Sequence, residues 1–290
     1  MQDKPGAQSR ARGRVSISLA AAGIVGLILF CILAVELKAR GFNDQWDLFF
    51  EGAARSARSP WLNDAMLFAT FLCSWQIVVA GGVAATAYFL FQKRTAAAII
   101  VVLSLVGDQI LITLLKNLFG RARPDQGEAL LPASGASFPS GHTFAAVAFY
   151  AVLILLVVPT ATAKRWKIAA AVLAVLWVAA VGFSRVYLGA HWPSDVIGSG
   201  LLGLTWVAAA DLTFLGLTMR LPDGSGAHQF GGFRAAVPFL TAWILFAVWF
   251  SIINPPTMQS VSIEFVGSIF SPEVMTINSS APDRLPTGAG

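Results

Sequence analysis

The sequence predicts an all-α fold of the membrane kind: a polytopic helical bundle with a six-span core and a seventh, C-terminal span. Of 290 residues, 56% are apolar and 12% charged, where soluble domains carry about 25% charged residues. The apolar residues gather into runs of about 20, the length that a helix rising about 1.5 Å per residue needs to cross the hydrocarbon of a bilayer. Lys and Arg gather in the turns between the runs. Such a chain is not disordered, not collagen-like and not a nucleic-acid tail, so no nucleic-acid partner is expected. Cys31 and Cys73 both sit in apolar runs and make neither a disulfide framework nor a zinc site.

The first run, Val15 to Val35, follows Lys4, Arg10, Arg12 and Arg14. A basic flank also opens a signal peptide. This run is long for a signal core and no small-residue cleavage site closes it, so it reads as a retained anchor. Spans two to six are Ala65 to Phe91, Ala96 to Leu118, Thr143 to Val158, Ile168 to Phe183 and Val196 to Leu217; Ala235 to Ile253 is the seventh. All are helices, because hydrocarbon offers backbone groups no water. Residues 1–14 are then a cytoplasmic tail, 15–220 the core, and 221–290 an extension holding the extra span and a polar tail.

Basic residues set the topology. The N-terminus, 92–94, 160–167 and 218–234 carry Lys or Arg with almost no acid, and alternating spans put them on one side. The positive-inside rule makes that side the cytoplasm. Segments 36–64, 117–142 and 184–195 then face the other side. In the first of these, Phe42, Trp46, Phe49 and Phe50 read as a short amphipathic helix lying in the interface, or equally as a loop anchored by aromatics. The short loops suit a bacterial inner membrane.

Three polar clusters interrupt this apolar chain, all on the non-cytoplasmic side. They are Lys116 to Arg123-Pro124, Pro139-Ser140-Gly141-His142, and Ser184-Arg185 to His191 to Asp195. Lys116 and Arg123 are two helical turns apart and can share a face. With Arg185 they make three cations suited to phosphate oxygens. Ser140 and Gly141 precede a helix start, where backbone N–H groups favour an anion. Pro193 suits a first helical position, which puts Asp195 in the first turn and His191 just before it. The carboxylate could hold one ring nitrogen and leave the other as nucleophile. His142 could protonate a leaving alkoxide. Arg121 fits none of these roles and reads as a headgroup or surface contact.

These clusters resemble the signature of the type 2 phosphatidic acid phosphatase (PAP2) family: K-x6-R-P, then P-S-G-H, then S-R-x5-H-x3-D. Every signature position is met, in order, across residues 60–220; the extension from 221 departs from the usual six-span plan. The resemblance implies that His191 attacks phosphorus and forms a phosphohistidine, that Asp195 orients it, and that His142 protonates the leaving group. Lys116, Arg123 and Arg185, with backbone N–H groups near Ser140 and Gly141, would hold the phosphoryl oxygens. No cofactor and no metal is expected, and no His, Cys, Asp or Glu grouping has the spacing of a metal site.

The expected function is an integral membrane phosphatase acting on a lipid phosphate or diphosphate in the bilayer. Phosphatidate, phosphatidylglycerophosphate, polyprenyl diphosphate and lipid A phosphates are the candidates. The alternative is a catalytically silent anion-binding transporter or scaffold, which the presence of both histidines and Asp195 disfavours. A haloperoxidase, which shares the site, is disfavoured by the spans. Asp108 in span three reads as a bonded or protonated interior residue, or as part of the substrate fit, and Asp211 as structural. Gly81-Gly82, Gly198, Gly200 and Gly203 read as close helix packing.

Overall fold

A computed structural model describes residues 5–42, 44–157 and 164–220, and every element among them is helical. In chain order these are α1 (Pro5–Ala39), α2 (Gln45–Ser56), α3 (Pro60–Phe71), α4 (Trp75–Phe91) and α5 (Thr95–Phe119). After a loop come α6 (Gly141–Ala145), a π-helical turn (Ala146–Ala151), α7 (Val152–Val157), α8 (Lys164–Tyr187) and α9 (Pro193–Arg220). The expected seventh span and the tail after it lie outside the described residues.

The chain is an integral membrane protein. Val15–Ala39 of α1, Thr95–Phe119, Ile168–Tyr187 of α8 and Pro193–Thr218 of α9 are each long and apolar enough to cross a bilayer. Large side chains such as Ile24, Ile28, Leu114, Leu173 and Val175 remain exposed along them, the surface that lipid covers. Span two differs from expectation. It starts earlier, at Pro60, and is two helices, α3 and α4, bent by 44° at the 72–74 break. The carbonyl of Leu72 that the break leaves over is taken by the Tyr150 hydroxyl at 2.7 Å, so the interruption is satisfied inside protein. The expected fourth span, Thr143 to Val158, differs too: it is the shorter apolar helix Gly141–Leu156, below the length that crosses a bilayer, opened by the polar Ser140 and interrupted by the π-helical turn, so the described residues hold four such spans, or five with the bent pair.

Two packed clusters position the site. Phe89, Ile100, Val101, Phe149, Val152 and Phe214 fill the middle of the bundle. Phe30, Leu37, Ile112, Phe138, Phe144 and Leu202 lie nearer the polar motifs. There Phe138 stacks on Phe30 at 5.7 Å and meets Phe119 edge-on at 5.0 Å. Lipid tails are as apolar as these rings, so shape and dispersion stabilise this packing more than expulsion of water does.

Glycines allow the closest helix approaches. An ideal Cβ on Gly203 would meet Val147 Cγ1 at 2.7 Å, and on Gly82 it would run into Leu105; at Gly200 nothing lies within 4 Å, so close packing does not explain that residue. α1 lies along α9. A Cβ on Gly23 would meet Ala208 Cβ at 2.6 Å, one on Gly26 the Leu201 carbonyl at 2.6 Å, and Thr205 donates to the Gly23 carbonyl at 2.8 Å.

The 36–64 segment forms an interfacial-type helix with an inverted economy of faces. Asp44 caps α2, accepting from Trp46 N at 3.0 Å, as an N-cap carboxylate should. Trp46, Phe49 and Phe50 point outward, Trp46 69% exposed, and Trp46 stacks on Phe50 at 5.9 Å. Asp47, Glu51 and Ala54 are the buried face.

Candidate active site

The three polar motifs meet at one end of the bundle. α5 runs toward it and stops at Phe119, because Gly120 takes a left-handed conformation (φ 58°) and caps the helix, donating to Lys116 O at 2.9 Å. Glycine adopts that conformation without a Cβ penalty. The turn changes the expected geometry. Arg123 is not on the Lys116 face of a helix; it stands on the loop that follows and reaches the site by folding back.

The loop from 120 to 140 is pinned at several points. Trp192 Nε1 donates to Ala122 O at 2.9 Å, and Ser137 N to Arg121 O at 2.7 Å. Gln126 donates to Gly189 O at 3.1 Å and accepts from Ala133 N at 2.8 Å. Arg58, from the α2–α3 turn, donates to Glu128 O at 2.8 Å and Tyr187 O at 3.1 Å. Glu128 also pairs with Arg55.

His191 lies buried in the short α8–α9 connection. α9 begins at Pro193, so Asp195 sits in its first turn. Its Oδ2 is 3.3 Å from His191 Nδ1, accepts from Trp192 N at 2.9 Å and takes the Ser137 hydroxyl. On the other side of the ring, Arg123 Nη1 is 3.2 Å from Nε2. A guanidinium only donates, so Nε2 carries the lone pair and Nδ1 carries the proton that faces Asp195. That is the tautomer a nucleophile at Nε2 requires. Burial first, then the charges of Arg123, Arg185 and Lys116, holds this imidazole well below its ordinary pKa of 6.5; a bond to the Ser137 backbone opposes them. The ring is therefore neutral at neutral pH, with its lone pair on Nε2.

The other expected residues gather round it. Arg123 is fixed by the carbonyls of Ser134 (2.7 Å), Gly135 (3.0 Å) and Ala190 (2.8 Å). Arg185 is 2% exposed and donates to Thr70 Oγ1 at 2.7 Å, a contact made possible by the end of α3 just before its break. His142 shares the electrostatic neighbourhood of Arg185, His191, Lys116 and Arg123. Its Nε2 is buried without a hydrogen-bond partner among the described residues. Ser140 is wholly buried and differs from expectation: its N–H goes to Asp195 O at 3.3 Å and its hydroxyl accepts from Thr143 at 3.0 Å. Gly141 and His142 are the first helical residues, whose N–H groups have no partner within a helix.

Arg121 overturns its expected surface role. It is 2% exposed. Nη1 donates to Asp195 Oδ1 at 2.6 Å and Ser194 Oγ at 2.7 Å; Nη2 donates to Asp47 Oδ2 at 2.6 Å and Phe42 O at 3.3 Å. The rings of Phe42 and Trp192 lie 5.6 and 5.7 Å from its guanidinium carbon. Gly120 is the reason, because it turns the chain so that position 121 points into the protein. Removing one partner of such a buried pair costs on the order of 3–5 kcal/mol. Asp47, Ser137, Ser194 and Thr70 are site residues that the motifs do not announce. A signal existed for Asp47: with Glu51 and Ala54 it repeats at helical spacing, opposite the aromatics. Asp108 is buried in α5, its Oδ2 3.4 Å from Gln109 Nε2, and Asp211 is buried in α9.

A family model described as the PAP2 superfamily matches residues 97–217. A phosphatidylglycerophosphatase B of Bacillus subtilis is 34% identical over 182 residues, 61% of this chain and 87% of that protein. A lipid A 1-phosphatase of Rhizobium johnstonii is 36% identical over 133 residues, 42% of this chain and 50% of that protein. The crystal structure of a transmembrane PAP2-type phosphatidylglycerolphosphate phosphatase from Bacillus subtilis aligns with a TM-score of 0.57 and 27% identity, covering 69% of this chain and 96% of that one.

Proposed function

Because the chain belongs to the PAP2 superfamily, we propose that it is a membrane phosphatase that takes phosphate from a lipid through a phosphohistidine on His191, without a metal. One observation carries this reading: an orienting carboxylate and the charges of three basic side chains converge on one buried, neutral histidine. Lys116, Arg123 and Arg185 hold the phosphoryl oxygens, with the first-turn N–H groups of Gly141 and His142. The Ser140 N–H serves Asp195 instead. Fixed donors aimed at developing charge usually supply the largest catalytic term.

The steps follow from these positions. Nε2 of His191 attacks phosphorus in line, the P–O bond to the lipid breaks, and the leaving oxygen takes a proton from His142. His142 then removes a proton from water. The hydroxide attacks phosphorus, the N–P bond breaks, and inorganic phosphate leaves. Asp195 accepts from Nδ1–H throughout and offsets the positive charge that the ring acquires.

Phosphatidylglycerophosphate heads the list of substrates, because a relative of which this chain covers 87% is named for it. Phosphatidate, polyprenyl diphosphate and lipid A phosphates complete the panel. Purified protein in detergent should release phosphate from at least one of them with EDTA present. Complete loss in EDTA, restored by one divalent ion, would overturn the metal-free reading. Vanadate should inhibit, since a five-coordinate adduct on His191 mimics the transition state. A silent transporter or scaffold is the weaker reading, because His142, His191 and Asp195 are all present.

The site would face the non-cytoplasmic side of a bacterial inner membrane. It lies at the C-terminal end of α5, whose other end carries the basic turn at Lys93 and Arg94. Ser134 is exposed beside the site. Ser134→Cys, in a chain lacking Cys31 and Cys73, should react in intact cells with a maleimide that cannot cross the membrane. Protection there, with labelling after permeabilisation, would reverse the orientation.

A further inference from the structure

Asp47 and Arg121 have no part in the steps above, yet they close the site from behind. Asp47 Oδ1 accepts from Ser194 N at 2.8 Å, and its Oδ2 takes both Ser194 Oγ at 2.5 Å and Arg121 Nη2 at 2.6 Å. Arg121 Nη1 continues to Asp195 Oδ1. With Oδ1 of Asp195 so held, its Oδ2 is left to Trp192 N, Ser137 and the nucleophile. Asp47, Arg121, Asp195 and His191 are all buried.

The count of charges is informative. Arg121 alone would neutralise Asp195, and a buried pair needs no third ion. Bringing a second carboxylate out of water costs several kcal/mol. Its effect is to leave the cluster with one net negative charge beside His191. The nucleophile otherwise faces only cations: Lys116 from α5, Arg123 from the loop, Arg185 from α8. His142 from α6 is its remaining titratable neighbour.

We propose that Asp47, acting through Arg121, is a positioning residue of the phosphoryl-transfer step: it frees the charge of Asp195 to stabilise the cation that forms on His191 and fixes which carboxylate oxygen faces the ring. This rests on His191 being the nucleophile. The donor of this charge is α2, whose other face is the exposed aromatic one. α2 thereby bears on the reacting centre through Arg121 and Ser194.

The test uses two variants of the full chain, Asp47→Asn and Arg121→Lys, which keep shape or charge. Both are compared with His191→Ala and checked for folding by thermal melting and size exclusion in detergent. Folded variants should lose at least about tenfold in kcat, about 1.4 kcal/mol, with KM for the lipid phosphate changed less than about threefold. The acid limb of the Asp47→Asn pH–rate profile should move to lower pH, because the imidazole loses a nearby negative charge. The double variant should be no slower than the slower single one, since the two act as a unit. Wild-type kcat in a folded variant, a loss confined to KM, or additive losses would each overturn the proposal. If neither variant folds, the cluster is a stability device only and the proposal fails. Turnover by His191→Ala would instead overturn the nucleophile, a separate failure.

Discussion

His191→Ala will abolish phosphate release, with a loss on the order of 10⁴ or more in kcat, about 5 kcal/mol of barrier. Among the described residues no other ring nitrogen of the site has both a lone pair toward the cations and a carboxylate behind it. The loss will be chemical, because Arg123 keeps its carbonyl partners Ser134, Gly135 and Ala190, so the loop it holds survives the truncation. Rapid quench of the unmodified enzyme should trap a phosphoenzyme that is labile to acid and stable to alkali; the variant should trap none. Retention of more than about a tenth of the unmodified kcat would refute the assignment.

Asp195→Asn will cost nearly as much, on the order of 10³–10⁴ in kcat. The two oxygens of Asp195 both accept: Oδ1 from Arg121, Oδ2 from Trp192 N and Ser137. An amide turned to satisfy Arg121 presents its NH₂ to two donors. Turned the other way it presents NH₂ to a guanidinium. In the first orientation the Nδ1 proton of His191 loses its acceptor, and the ring can move that proton to Nε2, where it removes the attacking lone pair; in the second the acceptor stays but carries no charge to offset the cation on the ring, and an NH₂ is forced against Arg121. Arg121 keeps Asp47, so the fold should tolerate the change better than loss of a lone buried counter-ion. In a His191→Ala background Asp195→Asn should add nothing. A further tenfold fall there would mean that Asp195 works on something other than the nucleophile.

The parts of the site legible in the sequence are those whose partners are near in the chain or carry permanent charge. His191 and Asp195 are four residues apart across a helix start that Pro193 marks. Lys116, Arg123 and Arg185 are conspicuous because cations are costly beside hydrocarbon. Arg121 has the same look, and its role was illegible for a physical reason. Its partners Asp47 and Asp195 each lie 74 residues away, in opposite directions. The left-handed turn at Gly120 takes both Arg121 and Arg123 off the helix and onto the loop, where Arg121 meets Asp47 and Asp195 and Arg123 meets backbone carbonyls, a division that composition does not reveal. Four spans and the bent second one were legible by length, but the 72–74 break was not, since its freed carbonyl is repaired by Tyr150, 78 residues on.

The packing of α1 on α9 has a consequence for biogenesis. α1 is the first of the described helices to leave the ribosome and α9 the last, and Gly23 and Gly26 fit against Ala208 and Leu201 with no room for a methyl group. Until α9 emerges, α1 has earlier-made neighbours, Phe30 stacking on Phe138 and sharing a cluster with Ile112, but lacks the helix that carries Asp195. Closing that distant contact late is slow in any chain. Among the described helices the α1–α9 contact is therefore the last that translation permits, and the setting of Asp195 in the first turn of α9 is complete only then.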